Sequence, residues 1–83
     1  MSQRAQTKDE RYLRGLYELA QAAGDVETEF DMFEVGQYVG QSPKAVKTIV
    51  ALLARANFVR KLDKTRLRLT PNGERLLQDL MEA

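Results

Sequence analysis

Apolar residues recur at helical spacing in four segments of the chain, and the first of these segments begins at Thr7. Thr7-x-x-Glu10 is typical of a capping box, in which each side chain satisfies the free backbone amide of the other residue. Four apolar residues after this cap lie on one helical face: Leu13, Leu16, Tyr17 and Ala20. Gly24 predicts the end of the first helix, because glycine adopts the left-handed conformation at low cost.

A short second helix is predicted to begin at Asp31, which forms a second capping pattern with Glu34. Three residues of this helix are expected to point inward: Val35, Tyr38 and Val39. Gly36 allows another element to come close, and Gly40 is expected to end the helix. The preceding residues 25–30 alternate weakly between apolar and polar, which favours either a short strand or a loop.

The third helix is predicted to start at Ser42 as its cap, with Pro43 in the first turn, where proline costs no hydrogen bond. It runs to about Ala56, and Asn57 is a plausible left-handed stop. Its inward face is formed by Val46, Val50 and Leu53, with Ile49 and Ala56 beside them.

Two short strands, residues 58–62 and 66–69, flank Asp63-Lys64-Thr65 and predict a β-hairpin. Leu67 and Leu69 share one face of the second strand, while Arg66 and Arg68 share the other. A last helix then begins at Thr70 and Pro71. Its apolar stripe consists of Leu76, Leu77, Leu80 and Met81.

The order of these elements predicts a mostly α domain with a small β-hairpin: helix, optional strand, helix, helix, strand, strand, helix. Residues 7–83 are expected to form this single domain. Residues 1–6 are polar and are expected to be a frayed N-terminus. The chain shows no internal repeat or low-complexity segment.

Charge is distributed unevenly along the chain, although its net value is only +1. Residues 41–70 carry eight of the 13 basic side chains against one acidic side chain, Asp63, and therefore a net charge of +7. Residues 1–40 carry four basic and eight acidic side chains, a net charge of −4. A one-sided basic surface attracts a polyanion, because bound Lys and Arg side chains release counterions from phosphates.

The residue types that are missing narrow the function. The chain has no cysteine and no histidine, so it lacks a thiolate, the commonest general base and the commonest ligands of transition metals. We therefore expect no enzyme, no metal and no cofactor. No apolar run approaches the ~18 residues of a membrane span, and no secretory signal is evident, so we expect no membrane contact and a cytoplasmic location.

Several short segments, taken in their order along the chain, form a recognisable pattern. They are Val35-Gly36, Val39-Gly40, Ser42, Val46, Val50, Leu53, Asn57-Phe58-Val59 and Leu69-Thr70-Pro71-Asn72-Gly73. Together they resemble the winged helix-turn-helix superfamily of bacterial and archaeal DNA-binding proteins, over nearly the whole chain. The last segment is similar to that of small regulators of the MarR and PadR kind. The resemblance implies double-stranded DNA as the partner and a role in transcription regulation. No effector pocket is evident in this short chain, so we expect no small-molecule ligand.

In this resemblance, residues 42–56 form the recognition helix in the major groove, and the hairpin 58–69 forms the wing. On a helical wheel, the side opposite Val46 and Val50 is basic, which suits contacts with phosphates and base edges. The predicted nucleic-acid-binding residues are Lys44, Lys47, Thr48 and Arg55 on the helix and Arg60, Lys61, Lys64, Arg66 and Arg68 on the hairpin. All these cations are expected to converge into one continuous basic surface.

Other interpretations of the same residues stay open. The basic helix face suits plain solvation, and the hairpin cations suit protection of an exposed strand edge. Ala45, Ile49 and Leu52 suit contact with another helix or a second protein, which favours a protein–protein interaction module instead. An RNA-binding module is less favoured, because only Phe58 offers a nearby aromatic ring. The first and last helices form either plain core or a homodimer interface, through Tyr12, Leu19, Leu77 and Met81.

Overall fold

Residues 7–82, which a computed structural model describes, form four helices and a three-stranded antiparallel sheet. The elements are α1 (Lys8–Ala22), β1 (Phe30–Asp31), α2 (Met32–Tyr38), α3 (Pro43–Arg55), β2 (Val59–Lys61), β3 (Arg66–Leu69) and α4 (Pro71–Glu82). The domain is thus mostly helical, as predicted. The expected frayed N-terminus lies outside the described residues.

Side-chain caps start the helices at the predicted positions. Four side chains accept hydrogen bonds of 2.8 to 3.2 Å from backbone N–H groups two or three residues later, and they are Thr7, Asp31, Ser42 and Thr70. The predicted left-handed stops also occur, since Gly24, Gly40 and Asn57 have φ angles of 87°, 75° and 65°. These local signals fix where α1, α2 and α3 end.

The core lies where α1, α2, α3, α4 and one face of the sheet meet. Its most deeply buried side chains are Tyr12, Leu13, Leu16, Val35, Val46, Val50, Val59, Leu67 and Leu77. The Tyr12 hydroxyl donates a buried hydrogen bond of 2.7 Å to the carbonyl oxygen of Met32, which joins α1 to the start of α2. α1 and α2 therefore share a polar contact inside an otherwise apolar core.

The sheet has the strand order β1-β3-β2, with both neighbouring pairs antiparallel. In the hairpin, Val59 lies opposite Leu69 and Lys61 lies opposite Leu67. Directly opposed residues share one face of a sheet, and the buried Val59, Leu67 and Leu69 mark this face as the inner one. We call the opposite side the outer face; it carries Arg60, Arg66 and Arg68.

Three expectations about individual residues were wrong. Tyr38 is 54% exposed and Met81 is 46% exposed, and Ala56 is also exposed. Tyr38 is the last residue of α2, where its ring lies near Gly15 and its hydroxyl donates to Glu18 Oε1 at 2.9 Å. The ring thus lies against α1 beside Gly15, where an added Cβ atom would overlap the Val39 Cγ1 methyl group and come within 3.3 Å of the ring.

The region 25–30 is mostly a turn, and its strand contributes only Phe30 before Asp31. Asp25 causes this: its carboxylate accepts from Glu27 N at 2.8 Å, and its carbonyl oxygen accepts from the Thr28 backbone N–H and hydroxyl. Asp side chains favour such turns over extended structure. The chain becomes extended only after this turn.

Candidate functional site

The exposed side of α3 carries the predicted helix residues together. Val46, Ile49, Val50 and Leu53 are buried on the inner side, so the 3.6-residue period leaves four predicted residues exposed, namely Lys44, Lys47, Thr48 and Arg55. Within residues 7–82, no carboxylate pairs with the three cations among them. This face of α3 is therefore basic, and no carboxylate of the described residues neutralises its charge.

A groove separates α3 from the tip of the hairpin and has a volume of about 480 Å³. We call it the basic groove. Its apolar part is formed by Met32, Phe33, Val50 and Ala51. Three lysines, Lys47 from α3 and Lys61 and Lys64 from the hairpin, also line it. Two separate elements thus bring their ammonium groups to one concave surface.

The hairpin register places Lys61 in this groove. Lys61 lies opposite Leu67, so its side chain projects from the same inner face of the sheet as Leu67. There it lines the basic groove together with Val50. The last hydrogen bond of the hairpin runs from Leu62 N to Arg66 O at 2.9 Å. Lys64 then lies in the loop that connects the strands.

Asp63 organises that loop. Its Oδ1 accepts from the backbone N–H groups of Thr65 and Arg66 at 2.9 and 2.8 Å. These two hydrogen bonds, helped by the positive charges of Arg66 and Lys61, hold the pKa of the Asp63 carboxyl below its usual range. The only acidic side chain of the hairpin is thus committed to the turn, and the loop presents Lys64 to solvent.

The outer face of the sheet does not join this surface. Arg66 Nε lies 3.4 Å from Glu29 Oε1, and Arg68 Nη1 lies 3.0 Å from Glu27 Oε1. Arg60 shares this face, because it is opposite Arg68 in the register. The expectation of one continuous basic surface was therefore wrong: the cations divide between two sides of the hairpin, and two of them are paired with carboxylates.

Sequence reasoning missed the role of Glu27 and Glu29. These two glutamates are spaced by two residues, as are Arg66 and Arg68, so an antiparallel arrangement matches Glu29 with Arg66 and Glu27 with Arg68. That matched spacing is a signal in the sequence, but it can be used only once β1 is known to pair with β3. Met32 and Phe33, which line the basic groove, were likewise not among the predicted site residues.

No group of three or more Asp, Glu, His or Cys residues in the described part is placed to hold a metal ion. Burial and the nearby Asp31 charge raise the pKa of the Tyr12 hydroxyl far above its ordinary value, so this phenol stays protonated. Across residues 7–82, each helix is too short or too polar to cross a membrane.

Comparison of the chain with protein-family models, with curated proteins and with solved structures gives no match.

Proposed function

We propose that this chain is a winged helix-turn-helix domain that binds double-stranded DNA and regulates transcription. In this proposal α3 enters the major groove, and the hairpin acts as the wing, with its tip along the phosphate backbone. The element order supports the fold assignment, since α2 and α3 are joined by a short turn and are followed by a hairpin and a closing helix. The β1-β3-β2 sheet supports the hairpin against the helices.

One observation carries the proposal: five exposed cations on two elements have no carboxylate partner within residues 7–82. They are Lys44, Lys47 and Arg55 of α3 and Lys61 and Lys64 of the hairpin. Unpaired, solvated ammonium and guanidinium groups gain most from phosphates, because binding releases the counterions condensed on DNA. The basic groove brings three of these side chains together.

The exposed face of α3 is poor in groups that read bases. Thr48 offers one hydroxyl, and Ala51 offers only a methyl group, which suits contact with thymine. Lys44 and Lys47 donate to phosphates or to guanine. We therefore propose that phosphate contacts supply most of the affinity and that sequence preference is modest.

Titration of a fluorescently labelled duplex at several salt concentrations tests this function. Neutralising about five phosphates predicts that log K falls against log salt concentration with a slope of about −4 to −5. Absence of binding at low salt, or an affinity that does not change with salt, contradicts the proposal.

Two variants with equal charge change sharpen this test. Lys47→Ala removes a cation of the basic groove and should reduce the salt slope by about one. Arg75→Ala removes an exposed cation of α4 that lines neither the basic groove nor the outer face, and it should leave the slope unchanged.

A third variant tests sequence preference. Thr48→Ala should change the ranking of duplex sequences by affinity and leave the salt slope unaffected.

A second candidate function is supported by Leu52, which is 47% exposed on the flank of α3. A large exposed apolar side chain, with the half-buried Ala45 two turns away on the same flank, suits a protein partner better than DNA. If α3 docks onto a protein, Leu52→Gln should abolish that association while leaving the fold intact. If α3 binds DNA, the same variant should keep duplex affinity within about twofold, since it removes no charge.

The predicted homodimer through α1 and α4 stays a prediction. Leu77 is buried within the domain, whereas Met81 is largely exposed in the last turn of α4. Two copies would place two α3 helices at half-sites one DNA turn apart. Light scattering of the free protein and of its duplex complex measures the stoichiometry directly.

A further inference from the structure

Arg60 and Arg68 lie directly opposite each other in the pairing of β2 with β3. Both side chains stand on the outer face of the sheet, where like charges in opposed positions repel each other. Glu27 neutralises Arg68 with an ion pair of 3.0 Å. Of the carboxylates in the described residues, none lies within ion-pair distance of Arg60. The opposed pair therefore keeps one positive charge that no carboxylate of residues 7–82 balances.

A shallow groove of about 440 Å³ runs beside this pair, between the hairpin and the start of α4. We call it the outer groove. It is lined by Asn57, Arg60, Arg68, Thr70, Pro71 and Asn72, without any acidic residue among them. The Thr70 hydroxyl is already used, because it donates to Asn57 O at 2.6 Å and accepts from Gly73 N at 3.0 Å. The other side-chain hydrogen-bond donors in the groove are the guanidinium groups of Arg60 and Arg68 and the amide groups of Asn57 and Asn72.

We propose that the outer groove binds a phosphate group between the guanidinium groups of Arg60 and Arg68. Each guanidinium presents paired N–H donors that match the oxygens of a phosphate. A phosphate anion placed here also reduces the repulsion between the two arginines. The site deepens the proposed function by adding a second phosphate contact, and it rests on that function only if the phosphate comes from DNA. A free phosphate offers the same chemistry.

Glu27 competes with phosphate for Arg68. Its side chain is 63% exposed, and exposed ion pairs of this kind are weak, so phosphate displaces the glutamate at small cost. Removing the charge of Glu27 should therefore strengthen phosphate binding, whereas removing Arg60 should weaken it. The acidic turn at residues 25–29 thereby moderates the affinity of the outer groove.

NMR titration of the ¹⁵N-labelled full chain with sodium phosphate, at ionic strength held constant with sodium chloride, tests the site. The side-chain Nε–H signals of Arg60 and Arg68 should shift and saturate, while that of Arg75 should not.

Glu27→Gln should tighten phosphate binding about threefold to tenfold. Asp79→Asn, the same neutralisation of charge on α4, should leave phosphate binding unchanged. Arg60→Ala should weaken binding about tenfold, with Arg60→Lys in between because it keeps the charge and loses the paired donors. Shifts that never saturate, or that are equal at Arg75, overturn the site.

A second arm, with a short duplex as the probe, separates this site from the proposed function. Shifts at Arg60 and Arg68 with both probes identify DNA phosphate as a ligand of the outer groove. Shifts with phosphate alone support the site with free phosphate as its ligand, whether or not the duplex binds to α3. If the duplex binds and neither probe affects these two arginines, the outer site is refuted and DNA binding by α3 stands.

Discussion

Gly36 of α2 lies so close to Val46 of α3 that a Cβ atom at position 36 would overlap the Val46 Cγ2 methyl group. Val46 is fully buried, and its branched side chain has little freedom to rotate away. Gly36→Ala should therefore destabilise the domain by about 1–3 kcal/mol through overpacking. This cost exceeds the gain in helix propensity, which is at most about 1 kcal/mol. Urea unfolding measures the difference.

Two further variants identify the cause of that loss. Gly24→Ala places a Cβ where no atom lies within 4 Å, although at a φ of 87°, so its cost reflects backbone conformation alone. Gly36→Ala combined with Val46→Ala should lose at least about 1 kcal/mol less than the sum of the two single changes, because the added methyl then has room. Additive effects would show that Gly36 is not needed for the close approach of α2 to α3.

Tyr12→Phe should destabilise the domain by about 1–2 kcal/mol at neutral pH. The hydroxyl of Tyr12 donates to Met32 O in the core, and its removal leaves a buried carbonyl without this donor. Tyr17→Phe is the matched control, because Tyr17 is nearly buried and none of the hydrogen bonds among the described residues uses its hydroxyl. A control effect as large as that of Tyr12→Phe would mean that the hydrogen bond contributes nothing particular.

Tyr12 should also make stability depend on alkaline pH. Burial raises the pKa of the native Tyr12 hydroxyl above the ordinary value of 10.0, so the unfolded chain releases this proton at lower pH than the folded chain. The stabilising contribution is complete below pH 10 and falls as the pH rises further, by up to about 1.4 kcal/mol per pH unit. The difference in unfolding free energy between wild type and Tyr12→Phe should therefore shrink between pH 10 and 11.5. A constant difference would contradict the raised pKa.

Asp63→Ala should loosen the loop of the hairpin while leaving the core intact. The backbone N–H groups of Thr65 and Arg66 lose their acceptor, so their amide hydrogen exchange should become faster, while exchange at Val59 and Leu69 should not change. In the wild type, an NMR titration should give an Asp63 pKa below the ordinary 3.8, since both hydrogen bonds favour the charged carboxylate. If amide exchange in the variant is unchanged, contacts other than the two hydrogen bonds to Asp63 keep the loop ordered.

The helices of this domain were predictable because their signals are local. Capping side chains, left-handed stops and the inward faces of α1 and α3 all follow from spacings of three or four residues. The fate of Tyr38 was not predictable in this way, since an apolar ring at a helix end can point inward or lie across a neighbouring helix. In the structure the ring lies beside Gly15, 23 positions earlier in the chain, and its hydroxyl donates to Glu18.

The division of the basic residues was unpredictable for a related reason. Residue types and positions identified the nine candidate binding residues. Their surroundings depend on the order of the strands, because the sheet pairs Phe30 with Leu67 across a long stretch of sequence. Only that pairing brings the acidic turn beside Arg66 and Arg68. The free cations of α3 and the hairpin tip, by contrast, follow from the helical period and from the alternation along β2.

The junction between α3 and the hairpin is held from several sides. Asn57 reverses the chain in a left-handed conformation, Phe58 N donates to Leu53 O at 2.9 Å, and Thr70 N donates to Phe58 O at 3.2 Å. Gly73 of α4 then packs against the Phe58 carbonyl with no space for a side chain. Such a joint permits little hinge motion, so a ligand that spans helix and hairpin meets a preorganised shape. Under the proposed function, association would cost little ordering entropy, and electrostatic steering instead of a conformational step would govern the encounter rate.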